Sequence, residues 1–178
     1  MYSANMTGFF AIPRLLFPEI DGLGSFITGE SRATTENITT YLKLVLSKID
    51  PRYAKYAVFI TLVYRHGLLH QHFPKNFKYK KKDIGWIFNI SHTNNPLDIQ
   101  RKFHLYFVDS TLQLDMNLFC QDVLDSIDKL YEVLTESYKE QFAKAISQQS
   151  TPLNKTSILN RNKKYIKASD FDFFKELK

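Results

Sequence analysis

The spacing of apolar and polar residues divides the chain into helical and extended stretches. Apolar residues recur every three or four positions, the period of an amphipathic helix, in residues 11–28, 34–49, 51–72 and 115–147. The first of these stretches also contains residues that disturb helices, namely Pro13, Pro18, Gly22 and Gly24. We therefore expect a short or interrupted helix there and regular helices in the other three stretches.

Residues that start helices precede the later stretches. Thr34 or Thr35 is suited to cap the second helix. Asp50 as a cap and Pro51 at the first helical position begin the third, which we expect to run to about His72. The last helix, capped by Asp115 or Asn117, would be about 45–50 Å long. Because this exceeds the width of a small domain, we expect it to bend or fray, or to pack its far end on a second subunit.

Between the third and the last helix the apolar period changes from 3.6 to 2. This alternation predicts three strands, at Ile84–Ile90, Phe103–Val108 and Thr111–Leu114. We therefore predict a mainly α, α+β fold: a helical bundle with a small antiparallel β-meander inserted at about residues 83–114. The domain would span residues 1–148. Residues 149–178 would form a basic tail with a short helix near its end, at Ser169–Leu177.

Composition and charge favour a globular protein with an anionic partner. The chain has 178 residues, of which 44% are hydrophobic, and 15 Phe and 10 Tyr suffice for a real core. The net charge of +6 favours nucleic acid as a partner. A single cysteine excludes an internal disulfide and a cysteine-rich zinc site. We see no signal peptide or membrane span and expect a cytoplasmic protein without membrane contact.

Six residues at the end of the third stretch carry the most specific chemistry, Arg65-His66-Gly67-Leu68-Leu69-His70. The permanently charged guanidinium of Arg65 can clamp a phosphate, and His70 can exchange a proton near neutral pH. These are the groups that RNA cleavage without a metal requires. On a regular α-helix, residues five apart lie about 140° apart around the axis. Both side chains would then reach one point only through bending, loss of helix near Gly67, or a second subunit.

This motif resembles the Arg-polar-x-x-x-His signature of HEPN domains, which are helical bundles found in nucleotide-binding proteins and in ribonucleases of toxin and antiviral systems. The wider run from Tyr64 to Lys75 is also similar to uncharacterised bacterial proteins of about this length. HEPN domains are usually all-helical, so the strands would be an insertion. The position two after the histidine is a Tyr in one nucleotidyltransferase-associated subgroup. Here it is His72, which argues against a role as an AMP-accepting antitoxin partner.

The resemblance implies a metal-independent endoribonuclease that needs no cofactor. Arg65 and His70 would be catalytic, with His66 at the auxiliary polar position, in a composite cleft between the subunits of a homodimer. RNA would be the substrate, a toxin or phage-defence system the setting, and an antitoxin or other protein a further partner. A non-catalytic HEPN-like module that binds RNA, a nucleotide or a protein is the alternative. A third possibility is a structural or regulatory protein in which Arg65 pairs with an acid and His70 fills a core site.

A basic connector between the motif and the first predicted strand could guide RNA. Its lysines are Lys75, Lys78, Lys80, Lys81 and Lys82, with Phe77 and Tyr79 between them to stack a base. A solvated basic loop explains it slightly better.

Two other constellations have weaker support. His66 and His70 share a helix face and could bind zinc with His72, His92 or His104, but the spacing specifies no third ligand. We therefore predict no metal site. Cys120 lies in an apolar helical stripe and is expected to be a small buried side chain.

Overall fold

The computed structural model describes residues 11–65, 77–90 and 101–150. The helices are α1 (Ala11–Thr28), α2 (Thr34–Leu44), a 3₁₀ helix (Leu46–Lys48), α3 (Arg52–Ile60), a π-helix (Thr61–Arg65), α4 (Met116–Ser137) and α5 (Lys139–Gln149). The strands are β1 (Phe77–Tyr79), β2 (Lys82–Asn89), β3 (Tyr106–Val108) and β4 (Thr111–Asp115). The predicted mainly α, α+β fold class is confirmed.

Helix α1 is continuous, where the sequence predicted a short or interrupted helix. Pro13 lies in the first turn, where a missing N–H removes no helical hydrogen bond. Pro18 is accommodated within the helix. Gly24 contacts α2 so closely that a Cβ placed on it would lie 2.2 Å from the carbonyl oxygen of Asn37. The glycine therefore serves the packing of α1 on α2 and does not break the helix.

The ends of α2 and α3 agree only in part with the expected caps. Helix α2 starts after Ala33 without any side-chain cap, so the assignment of Thr34 or Thr35 as the cap is wrong. At the start of α3, the backbone N–H of Arg52 donates to Oδ1 of Asp50 at 3.0 Å. Asp50 therefore satisfies a backbone donor in the first turn, as predicted from the Asp50-Pro51 pair.

The three predicted strands are found with an additional strand, β1, before them, and the sheet is mixed and not an antiparallel meander. The strand order is β1-β2-β4-β3. Strands β1 and β2 form an antiparallel hairpin, β3 and β4 form a second one, and β2 and β4 are parallel neighbours. The segment between β2 and β4 is long enough for the crossover that parallel pairing needs. One face of the sheet closes the core with Phe88, Leu112 and Leu114, which are buried.

The long last helix is broken at Tyr138, which is one of the two alternatives that its excessive length suggested. Tyr138 has φ −130° and ψ 27°, which ends α4 and lets α5 start in a new direction. Helix α5 then packs on α1, where the rings of Phe26 and Phe142 lie 5.2 Å apart, edge to face. The start is also as predicted, since the side chain of Asp115 accepts from the backbone N–H of Leu118 at 3.0 Å.

Two further expectations concern the limits of the described chain. The predicted basic tail and its helix at Ser169–Leu177 lie outside the described residues. Within the described ranges, none of the helices combines the length and apolar character needed to cross a membrane.

Candidate functional site

The Arg65–His70 motif begins at the end of the π-helix. The backbone of Arg65 forms the last residue of this π-helix, which follows directly on α3. His66 and His70 lie outside the described residues, as do Lys75 and His72. Their predicted roles therefore stay predictions.

The π-helix itself differs from the regular α-helix that was expected through the motif. The hydroxyl of Thr61 donates to the carbonyl oxygen of Ala57 at 2.9 Å and accepts from the hydroxyl of Thr39 on α2 at 3.1 Å. A buried hydroxyl bonded to the carbonyl four residues back disturbs the regular helical ladder. The expected angle of 140° between Arg65 and His70 concerns residues 66–70, which lie outside the described residues, so it stays a prediction. Short π segments also occur frequently at functional sites.

Four of the five lysines predicted to contact nucleic acid lie on the β1–β2 hairpin. Lys78 lies in β1, Lys80 and Lys81 form the turn, and Lys82 begins β2. All four are exposed. We call Lys78, Lys80, Lys81 and Lys82 the lysine hairpin. The stretch expected to be a connector is thus a structured hairpin that concentrates positive charge at one end of the sheet.

The turn of the lysine hairpin has an unusual backbone for its residues. Tyr79 and Lys82 are paired in the ladder, and the two residues between them, Lys80 and Lys81, have φ of 46° and 65°. Two-residue turns with positive φ at both positions favour Asn-Gly, because other L-residues are strained in the left-handed region. Strain of about 1–3 kcal/mol per residue is typical there and concentrates at functional sites. The turn therefore places two positive charges on residues whose left-handed backbone lowers the stability of the protein.

A second cluster, which the sequence did not predict, lies in the core. Tyr53 of α3, His104 and Asp122 of α4 are fully buried. The hydroxyl of Tyr53 donates to Oδ2 of Asp122 at 2.9 Å and lies 2.8 Å from Nε2 of His104. Arg101 donates to both carboxylate oxygens of Asp122, at 2.5 and 3.1 Å. This buried network joins α3, the segment before β3 and α4.

Hydrogen bonds fix the proton positions in the buried network. Nδ1 of His104 accepts from the backbone N–H of Asp115 at 3.2 Å, so the proton of the neutral ring lies on Nε2 and points to the Tyr53 hydroxyl. Burial lowers the pKa of His104 to about 3. Burial and, next, the charge of Asp122 raise the pKa of Tyr53 well above 10.0. His104 is therefore neutral and Tyr53 keeps its hydroxyl proton at neutral pH.

The buried network fits a structural role better than a catalytic one. None of its three central side chains reaches solvent, so no substrate can contact them. Only Arg101 is partly exposed. Both nitrogens of His104 are engaged, which removes it from the set of predicted alternative zinc ligands. No group of three or more metal-binding side chains occurs among the residues that the structure describes.

An ion pair continues this network toward the surface. Arg52 binds Asp50 through its Nε and Nη2 atoms, and its Nη2 also donates to the carbonyl oxygen of Arg101 at 3.0 Å. Burial alone would raise the pKa of Asp50, but the hydrogen bonds from Arg52 outweigh it and lower the pKa. The two arginines face carboxylates that neutralise them.

Cys120 does not have the surroundings of a nucleophile. It is half-buried on α4, so the sequence was right that it lies at the apolar side but not that it is buried. Burial, followed by the charge of Asp115, raises the pKa of its thiol. A raised pKa leaves less of the reactive thiolate at neutral pH.

One signal could have revealed the buried network. Asp122 lies three residues after Phe119 and directly before Val123, on the buried side of α4. A carboxylate in an apolar helical stripe needs a partner, because a buried charge is stable only when paired. The pattern therefore predicts a buried cation or hydroxyl near Asp122, although it does not identify Arg101 or Tyr53.

No protein-family model matches the sequence, and comparison with curated proteins and with solved structures finds no similar protein. The HEPN resemblance is carried by the motif residues Arg65, His66 and His70.

Proposed function

We propose that the protein binds RNA through the lysine hairpin and cleaves it without a metal ion through Arg65 and His70. The observation that carries this proposal is the strained pair Lys80 and Lys81 among four exposed lysines. Lysines neutralise phosphates and release counterions, which supplies most of the affinity of non-specific nucleic-acid binding. The ring of Phe77 in β1 lies 6.0 Å from that of Phe59 on α3, so the hairpin packs beside the helix that leads into Arg65.

The proposed cleavage uses the two motif side chains in different roles. His70 would remove the proton from a ribose 2′-hydroxyl, whose oxygen then attacks the adjacent phosphorus. The bond to the 5′-oxygen breaks, that oxygen takes up a proton, and a 2′,3′-cyclic phosphate remains. Arg65 would neutralise the charge that builds up on the non-bridging oxygens. His66 would assist, and a second subunit of a cytoplasmic homodimer would complete the cleft.

RNA binding is tested by replacing the two residues of the strained turn. In the double variant Lys80→Asn, Lys81→Gly, the hairpin keeps its turn and loses two charges. We expect the free energy of unfolding to rise by about 1–2 kcal/mol as strain is relieved. RNA affinity should fall more than about tenfold at 0.1 M salt, and the slope of log affinity against log salt should become shallower by about 1.4.

The matched control is Lys43→Gln with Lys139→Gln, which removes the same charge from exposed positions on α2 and α5. It should leave affinity near that of the wild type. If the turn variant and the control lose equal affinity, the lysine hairpin is not the binding site. If the wild type binds no RNA, the proposed function is wrong as a whole.

Cleavage is tested with RNA in EDTA, comparing the wild type with His70→Ala. We expect products with 2′,3′-cyclic phosphate ends from the wild type only, while RNA binding and the dimer persist in the variant. Equal cleavage by both proteins would exclude His70 as the base. Binding without cleavage by the wild type would instead identify the non-catalytic RNA-binding module.

A further inference from the structure

The sheet has an outer face that no helix of the described chain covers. The register places Gly85, Thr111 and Val108 in one row across β2, β4 and β3. Ile87, Gln113 and Tyr106 form the next row. Since side chains alternate along a strand, all of these point away from the buried Phe88, Leu112 and Leu114. We call the two rows, with Asn89, the outer sheet face.

The outer sheet face combines an aromatic ring with apolar neighbours. Tyr106 is 51% exposed, Ile87 is 45% exposed and Val108 is 38% exposed. Neighbouring strands are about 4.8 Å apart, so these side chains form one continuous surface. Gly85 lies at the β2 end of this surface, and the Thr111 side chain packs against it, since a Cβ placed on the glycine would lie 3.2 Å from Oγ1 of Thr111. The exposed ring of Tyr106 at the β3 end therefore offers the stacking platform, and a nucleobase is a flat ring that can stack on it.

Polar groups on the same face are held in fixed directions. Nδ2 of Asn89 donates to Oε1 of Gln113 at 2.8 Å. This bond orients the other polar atom of each amide, so that Nε2 of Gln113 is available as a donor and Oδ1 of Asn89 as an acceptor. Donor and acceptor pairs of this kind match the edges of unpaired bases.

Of the two hairpin lysines that lie in strands, Lys78 is on the side of the outer sheet face and Lys82 is on the other side, and Asp83 lies opposite Lys78. Lys78 is paired with Asp83 in the ladder, and Asp83 precedes Gly85 by two positions. Lys78 therefore points to the same side as Tyr106. Strand spacing and rise place the two Cα atoms about 20 Å apart. That span suits a site of several nucleotides, since single-stranded sites cover about 4–16.

We propose that the substrate is single-stranded RNA, an inference that rests on the proposed RNA binding. One base would stack on Tyr106, and the phosphates of the RNA would run toward the lysine hairpin. Duplex RNA presents a continuous backbone and hides the base faces, so it cannot use an aromatic ring on an open sheet. A protein partner would not need the two lysines, Lys80 and Lys81, in the turn beside this surface.

The test measures binding of two oligonucleotides of one sequence, a single strand and its blunt duplex. Fluorine replaces each 2′-hydroxyl, so neither can be cleaved by the proposed route. The variants are Tyr106→Val, which removes the ring and keeps a strand-forming residue, and Tyr106→Phe, which keeps the ring. Tyr131→Ala removes a more exposed tyrosine, 70% accessible, from α4 and serves as the control.

We expect the wild type to prefer the single strand by about tenfold or more. Tyr106→Val should lose at least about fivefold in affinity for the single strand, while Tyr106→Phe and Tyr131→Ala bind like the wild type. Unchanged binding by Tyr106→Val, with normal loss in the lysine-turn variant, would overturn this inference and leave the proposed function intact. Equal affinity for the duplex would also overturn it. If the wild type binds neither oligonucleotide, both proposals fall.

Discussion

The buried histidine should make the protein less stable in mild acid, and His104→Gln tests this directly. His104 is fully buried, and both of its ring nitrogens form hydrogen bonds. Its pKa is lowered from 6.5 to about 3, because burial disfavours the charged ring. The unfolded chain therefore binds a proton that the folded chain rejects at any pH between these two values. In this window the free energy of unfolding falls as the pH falls.

The magnitude follows from the two pKa values. One pH unit between them corresponds to about 1.4 kcal/mol. Near pH 7 the unfolded histidine is mostly neutral and the effect is small, but at pH 5 it is almost fully protonated. Integrated from pH 7 to pH 5, the contribution of His104 is a loss of about 2 kcal/mol. Its full value of about 5 kcal/mol is reached only below pH 3.

The assay is urea unfolding at pH 7 and pH 5, followed by the fluorescence of Trp86. Glutamine can replace both hydrogen bonds of the histidine but does not titrate. The variant can be less stable at both pH values without affecting the test, because the measured quantity is the change between them. The other four histidines are present in both proteins and cancel. If the wild type and His104→Gln lose equal stability between pH 7 and pH 5, the assignment of a buried neutral His104 is wrong.

Two further predictions concern packing and charge in the core. Gly24→Ala should lower the free energy of unfolding by about 3 kcal/mol, because the new Cβ meets the Asn37 carbonyl and forces α1 and α2 apart. Gly22→Ala has open space and should raise it by about 0.5–1 kcal/mol; equal effects in thermal unfolding would contradict the close helix contact. Asp122→Asn should cost about 3 kcal/mol in urea unfolding, since it leaves the guanidinium of Arg101 without its carboxylate. A cost below about 1 kcal/mol would mean that this pair adds little stability.

The helices could be predicted because their buried residues follow the helical period. In α2, Ile38, Tyr41 and Leu42 form the predicted stripe, and all three are fully buried. The break in the last helix could also be predicted, since a helix through Tyr138 would have outgrown the domain. These features depend on local spacing and on size, both of which the sequence contains.

The pairing of strands could not be predicted in the same way. Alternation identifies a strand and its buried face but not its neighbour, and strands that follow one another most often pair. Here β4 passes between β2 and β3, and the parallel pair depends on a crossover between Asn89 and Thr111. The outer sheet face follows from this register. Tyr106 and Ile87 share a row only because β4 lies between their strands, so sequence reasoning had no means of bringing them together.

Two parts of the candidate site depart from the regular backbone that sequence rules predict. Two departures from regular backbone, the π-helix that ends at Arg65 and the left-handed pair Lys80 and Lys81, lie on the two sides of the segment that contains His70. A turn that only reversed the chain would be more stable with Asn-Gly, and a helix that only packed would keep its α-helical ladder. Departures of this kind persist where the rest of the fold offsets their cost, and they gather at functional sites. The variant Lys80→Asn, Lys81→Gly distinguishes the two interpretations of the turn. If the turn only reverses the chain, the variant is more stable and nothing else changes. If the turn binds RNA, the variant is more stable but has a lower affinity for RNA.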